Sequence, residues 1–144
     1  MSQDAPADSL GEAFGAVARR LRVASMAALA QYDVTPSQVR AIRVLAAQGP
    51  DSGGVRSKAL AEQLKIAPRS ATEVVDALEE KGLVRRSPDP GDRRAVLVAL
   101  TGHGRELSDE IRRTRGVESE RMFERLSRTD REDLARILGK LQGP

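Results

Sequence analysis

A chain of 144 residues has the length of one domain and is long enough to bury a moderate core. It has no Cys, which excludes disulfides, thiolate metal sites and cysteine redox sensing, and its three aromatic residues, Phe14, Tyr32 and Phe123, are too few to wall an enclosed enzyme pocket. The formal charge is only +3, yet 20 of the 24 basic residues are Arg, the side chain suited to bidentate contact with phosphates and guanine edges. A GC-rich genome also raises Arg and Ala, so the placement of the charges must decide. No stretch is apolar enough to span a bilayer, and the polar, acidic start Met1–Ser9 lacks the pattern of a signal peptide. A cytoplasmic protein with no membrane partner is expected.

Residues 1–9 read as a frayed tail. From Leu10 apolar residues recur at helical spacing (Leu10, Phe14, Val17, Leu21, then Ala24, Ala28 and Leu29), which predicts a helix to about Ala30 or Gln31, flanked by Arg19, Arg20 and Arg22. Thr35-Pro36 predicts a second helix, with Thr35 as cap and Pro36 at the first position, where its missing N–H costs nothing. Its buried face is Val39, Ile42, Val44, Leu45 and Ala46, and Gly49-Pro50 stops it before a turn-rich loop over Asp51–Gly54. A third helix is predicted over Ser57–Leu64 and a fourth from Pro68, joined by the short turn Lys65-Ile66-Ala67. Ala71, Val74, Val75 and Leu78 form the inner face of the fourth helix, and Gly82 ends it in the left-handed conformation.

The period then changes. Leu83–Ser87 reads as a strand, Pro88–Asp92 as a dense turn and Ala95–Leu100 as a second strand. Thr101 caps a long fifth helix bearing Leu107, Ile111, Met122, Phe123 and Leu126, in which Gly116 allows a bend. Thr129, with Glu132 completing a capping box, is expected to start a last helix with the stripe Leu134, Ile137, Leu138 and Leu141.

Two short helices joined by a tight turn and followed at once by a hairpin describe a winged helix-turn-helix. The expected class is mainly α (α+β). In such a unit the second helix lies in the major groove and the hairpin reaches along the backbone toward a minor groove. The inner face of the fourth helix leaves Arg69, Ser70, Thr72, Glu73 and Asp76 pointing outward. Arg69 pairs with guanine, Ser70 and Thr72 touch bases or phosphates, and Glu73 either accepts from cytosine N4 or pairs with a nearby Arg. The hairpin adds Arg85 and Arg86 on its first strand and Asp92, Arg93 and Arg94 at its tip, where an Arg can enter a narrow minor groove. Taken singly, the helix is also an ordinary amphipathic helix and the tip an ordinary soluble turn; their direct succession favours contact with double-stranded DNA. The terminal helices carry apolar stripes outside the winged unit. Either they pack on their own subunit or a two-fold homodimer covers them, setting two reading helices about one DNA turn apart.

Leu60-Ala61-Glu62-Gln63-Leu64, Val75-Asp76-Ala77-Leu78-Glu79-Glu80-Lys81-Gly82-Leu83-Val84, Asp89-Pro90-Gly91-Asp92-Arg93-Arg94 and Val98-Ala99-Leu100-Thr101 resemble the MarR (multiple-antibiotic-resistance regulator) family of transcription factors, over nearly the whole chain from Leu10 to Leu141. The resemblance implies one domain over 1–144, with a helical dimerisation lobe from the N- and C-terminal helices (10–31 and 101–142) and a DNA-binding lobe over about 35–100. It implies a homodimeric repressor on a pseudo-palindromic operator, released by a small phenolic or anionic ligand. In the wing, Arg94 would enter the minor groove and Asp92 would hold it by a salt bridge. The implied ligand pocket lies among Val17, Leu21, Tyr32, Val39 and Arg43, residues that also read as plain core. With no Cys, the thiol-sensing branch of the family is excluded.

No enzyme, cofactor or metal site is expected. The one His, His103 in Gly102-His103-Gly104, has no Ser, Asp or metal partner in sequence, and no Gly-rich phosphate loop follows a strand. The alternative is a winged-helix protein-interaction module without DNA binding. Its mark would be an acidic or apolar reading face, toward which Glu73 and Asp76 lean and from which the arginines lean away.

Overall fold

The computed structural model describes residues 9–143; the tail expected over 1–9 lies, apart from Ser9, outside the described residues. The elements in order are α1 (Leu10–Leu29), a 3-10 turn (Ala30–Tyr32), α2 (Pro36–Ala47), β1 (Val55–Arg56), α3 (Ser57–Leu64), α4 (Pro68–Glu80), β2 (Val84–Asp89), β3 (Asp92–Leu100), α5 (Gly102–Phe123) and α6 (Arg128–Gln142). They fall into two compact units. One is Leu29–Arg113; the other is Met1–Ala28 with Thr114–Pro144, as far as these are described. The division falls inside α5, beyond the boundary expected at Thr101.

The first unit is the winged helix. Its helix ends follow local rules. Thr35 accepts from the Gln38 N–H and Gln38 accepts from the Thr35 N–H, a reciprocal capping box at the start of α2. Lys65 takes the left-handed conformation that turns the chain from α3 toward α4, and Arg40 donates to the Leu64 carbonyl at 2.7 Å to satisfy the end of α3. Gly82 (φ +74°) closes α4 in a Schellman arrangement, with Leu83 N–H on Leu78 O and Gly82 N–H on Glu79 O. Ile42, Leu60, Leu78 and Val98 have no exposed surface, and each contributes roughly 1.5–3 kcal/mol of burial to a core of aliphatic side chains from three helices and the sheet.

The sheet is antiparallel in the order β1-β3-β2, with Val55 opposite Val98 and Val84 opposite Leu100. β1 is not signalled by the sequence, because two residues carry no period. The wing strands are longer than expected: Pro88, Asp89 and Asp92, assigned to the turn by residue type, lie in the ladder, and β3 runs on through Arg93 and Arg94 at the register irregularity beside Pro88/Asp89. Pro88 is tolerated because β2 is an edge strand, where one missing N–H breaks no second ladder.

In the second unit α6 is tied to the end of α5: Arg131 pairs with Glu120 at 3.1 Å and donates to the Phe123 carbonyl. α5 runs through Gly116 as one helix. The cap of α6 is Ser127, not Thr129. The Ser127 hydroxyl accepts from the Asp130 N–H and Asp130 accepts from the Ser127 N–H, so the box closes two residues earlier than expected. Ser127→Ala should therefore destabilise the protein by about 1 kcal/mol, and Thr129→Ala should stay within about ±0.5 kcal/mol. Urea unfolding of both variants checks this, and equal losses would return the cap to Thr129. Leu10, Phe14 and Leu141 are each more than half exposed in the single chain, and Val17 and Ile137 nearly so.

Candidate nucleic-acid interface

The arrangement of α3, the Lys65 turn and α4 leaves one face of α4 outside. Ala71, Val75 and Leu78 point into the core, so helical geometry puts Arg69, Ser70, Thr72, Glu73 and Asp76 on the exposed side. Arg69 and Glu73 form a loose i,i+4 pair at 3.9 Å, both largely exposed, so Glu73 leans on Arg69 without sequestering it. The Thr72 hydroxyl donates to the Pro68 carbonyl at 3.0 Å, which leaves its oxygen lone pairs as its outward chemistry.

Beside α4 stands the wing. Its tip is stiffened by carboxylates. Asp89 accepts from the Gly91 N–H at 2.9 Å and pairs with Arg56 of β1 at 2.7 Å. The Gly91 N–H first, and then Arg56, hold the Asp89 carboxyl below its ordinary value against an opposing desolvation effect. Asp92 accepts from the backbone N–H of Arg94 at 3.0 Å. The salt bridge implied between the Asp92 and Arg94 side chains is not formed; among the described residues the ion pair of the tip is Arg56 with Asp89. Nothing in local sequence distinguishes the two aspartates, because the partner of Asp89 comes from a distant strand.

The arginines divide into two sets. Arg85, Arg93 and Arg94 are exposed and make no side-chain hydrogen bond or ion pair among the described residues. Arg86 is engaged: its guanidinium meets Asp76 at 2.6 Å and Glu79 at 3.0 Å. Asp76 and Glu79 of α4 are thus paired within the protein, while Arg85, Arg93 and Arg94 of the wing are left open. Lys58 and Lys65, at the two ends of α3, are also exposed without a side-chain partner among the described residues. Neither stands out as a contact in the sequence, since two lysines seven positions apart form no charge run.

The residues of the implied ligand pocket are divided between the units. Val17 and Leu21 lie on α1 in one, and Tyr32, Val39 and Arg43 in the other. Val39 is wholly buried core and Arg43 is exposed. Tyr32 borders a cavity of the winged unit, about 350 Å³, shared with Asp33, Lys81, Leu83, His103 and the α5 side chains Glu106, Leu107 and Glu110, and neither Val39 nor Arg43 lines it. His103 is exposed, 4.0 Å from Glu106. Among the described residues no group of three or more His, Asp or Glu is placed to hold a metal ion.

The sequence model of the MarR family matches residues 34–96. The chain is 36% identical over 132 residues to the uncharacterized HTH-type transcriptional regulator ML2140 of Mycobacterium leprae, covering 90% of this chain and 85% of that protein. Among solved structures it is similar to RV1404 of Mycobacterium tuberculosis (29% identity, TM-score 0.80, 96% of this chain and 92% of that one). It is also similar to the MarR family protein RV2887 of the same organism, solved in complex with salicylic acid (28% identity, TM-score 0.71, 98% and 99%).

Proposed function

The chain belongs to the MarR family, and on that premise we propose that it is a transcription regulator that binds double-stranded DNA as a homodimer, acting as a repressor on a pseudo-palindromic operator in the cytoplasm. The carrying observation is the division of charge on the winged unit: Asp76, Glu79 and Asp89 are each held by an Arg of the protein, and Arg85, Arg93 and Arg94 are held by none. A surface so arranged presents net positive charge to phosphates beside a helix whose N-terminal turn carries Arg69 and Ser70. Arg69, Ser70, Thr72 and Glu73 meet base edges and the adjoining phosphates. Arg93 meets the backbone, and Arg94 enters the minor groove, with Asp92 shaping the turn that presents it; Arg85, on the side of β2 turned away from α4, lines a cavity with Arg105, Asp109 and Arg112 of α5 and is assigned no contact.

The homodimer is supported by the exposed apolar residues of α1 and α6, a kind of surface that monomers rarely leave open. Release by a small phenolic or anionic ligand is supported by the relative that holds salicylic acid. The same charge division weakens the protein-interaction alternative, because Asp76, one of the acids that favoured it, is bound to Arg86.

Titration of labelled DNA from upstream of the coding sequence, against a scrambled control and across a salt series, tests this reading. Tight binding to the upstream DNA at two chains per site is expected, with affinity falling steeply as salt rises. Equal, weak binding to both DNAs would remove sequence specificity. No binding even at low salt would replace the reading with the protein-interaction module.

A further inference from the structure

We propose that Arg86 is not a DNA contact but the residue that sets the wing against the reading helix. The inference rests on the DNA-binding reading above and assigns a role within it. Four contacts converge on this one residue. The guanidinium donates to Asp76 at 2.6 Å and to Glu79 at 3.0 Å, and comes within 3.5 Å of the Thr72 carbonyl oxygen. The backbone N–H donates to the other oxygen of Glu79 at 3.2 Å. Thr72, Asp76 and Glu79 follow one another at i, i+4 and i+7, so they form a single stripe along α4, beside the face that carries Arg69 and Glu73. One side chain of β2 therefore grips two turns of the helix.

The strand explains why it is Arg86 and not its neighbour. Side chains alternate along β2: Val84 and Arg86 share one side and Arg85 points to the other. Val84 is buried core, and Arg86 continues that side outward, where the core has ended and the helix is still within reach of a long side chain. Past Arg86 no residue of β2 is hydrogen-bonded to α4 among the described residues, and the tip is tied instead to β1 through Arg56 and Asp89. A planar fork against two carboxylates fixes orientation in a way that a single-point ammonium does not. Asp76 and Glu79 remain about half exposed, and ion pairs of that kind add little to global stability. What the clamp fixes is geometry: the distance between the groove read by α4 and the groove entered by Arg94.

The test has two arms. In the first, binding to the upstream DNA is measured for Arg86→Met, Arg94→Ala and the double variant. If Arg86 acts through the wing, Arg86→Met weakens binding by about tenfold and Arg94→Ala then costs far less than in the parent protein, since its contact is already misplaced. Arg86→Lys keeps the charge without the fork and recovers only part of the loss. The triple variant Asp76→Asn/Glu79→Gln/Arg86→Met removes the acids that Arg86→Met alone would uncover, and it stays weakened if geometry is the cause. Additive losses, full recovery by Arg86→Lys or full recovery in the triple variant would overturn the proposal. The second arm needs no DNA. Amide exchange in the free protein should quicken along β2 and β3 in Arg86→Met while Val75 and Leu78 of α4 are unchanged. Equal wing exchange would overturn the positioning role whatever the DNA result, whereas failure of the parent protein to bind any DNA, with wing exchange quickened, would sink only the DNA-binding reading.

Discussion

Gly104→Ala is expected to destabilise the protein by about 2–3 kcal/mol, near the upper end of what overpacking costs. A Cβ built on Gly104 would lie 2.0 Å from the Leu83 carbonyl oxygen and 3.2 Å from Leu100 Cδ2. The oxygen belongs to backbone and cannot swing aside. It also accepts the Thr101 N–H at 3.0 Å, so moving it would strain the hydrogen bond that carries the chain from the wing into α5. The gain of about 1 kcal/mol from replacing Gly by Ala in a helix offsets only part of this. Gly102→Ala is the control. Gly102 has nothing within 4 Å of its ideal Cβ, and the change there should stay within about ±0.5 kcal/mol. Urea unfolding of both variants decides the matter; if Gly104→Ala were as harmless as Gly102→Ala, the close approach of α5 to the root of the wing would be wrong.

Arg94→Ala is expected to weaken binding to the upstream DNA by about ten- to a hundredfold, the loss of a charged hydrogen-bonding group worth roughly 1.5–3 kcal/mol. The side chain stands on β3 beside the tip, exposed and without a partner among the described residues, while its own N–H is taken by Asp92. Nothing in the free protein depends on the guanidinium, so the unfolding free energy should not move by more than about 0.5 kcal/mol. If the contact reaches phosphates as well as the groove floor, the slope of log affinity against log salt should fall by about one. Binding unchanged in both affinity and slope would remove Arg94 from the interface and shift the minor-groove role to Arg93.

Much of this protein is legible residue by residue. Thr35-Pro36, Pro68 and Gly82 mark helix ends because a helix terminus must satisfy its own backbone groups with whatever lies within a few residues, and those residues are adjacent in sequence. The choice between Ser127 and Thr129 shows where that locality fails. Both are competent caps with an acid three residues on, and the structure takes the earlier one, with Arg131 of the same turn pairing back to Glu120. The wing shows a second limit. Pro, Gly and Asp cluster over Pro88–Asp92 as they do in loops, yet β3 draws most of them into the ladder and leaves Pro90 and Gly91 to make the turn.

The order of the helices, the cap of α2, the hairpin and the outward face of α4 were determined by the sequence itself, because period and capping act over one or two turns of chain. Which charges stand free was decided only by the tertiary structure. Arg85 and Arg86 are adjacent and chemically identical, as Asp89 and Asp92 nearly are, and no local rule separates them. Arg86 is claimed by acids of α4 and Asp89 by Arg56, 33 residues away along the chain. Folding brings those distant charges together and pairs them, and Arg85, Arg93 and Arg94 are left without a side-chain partner among the described residues.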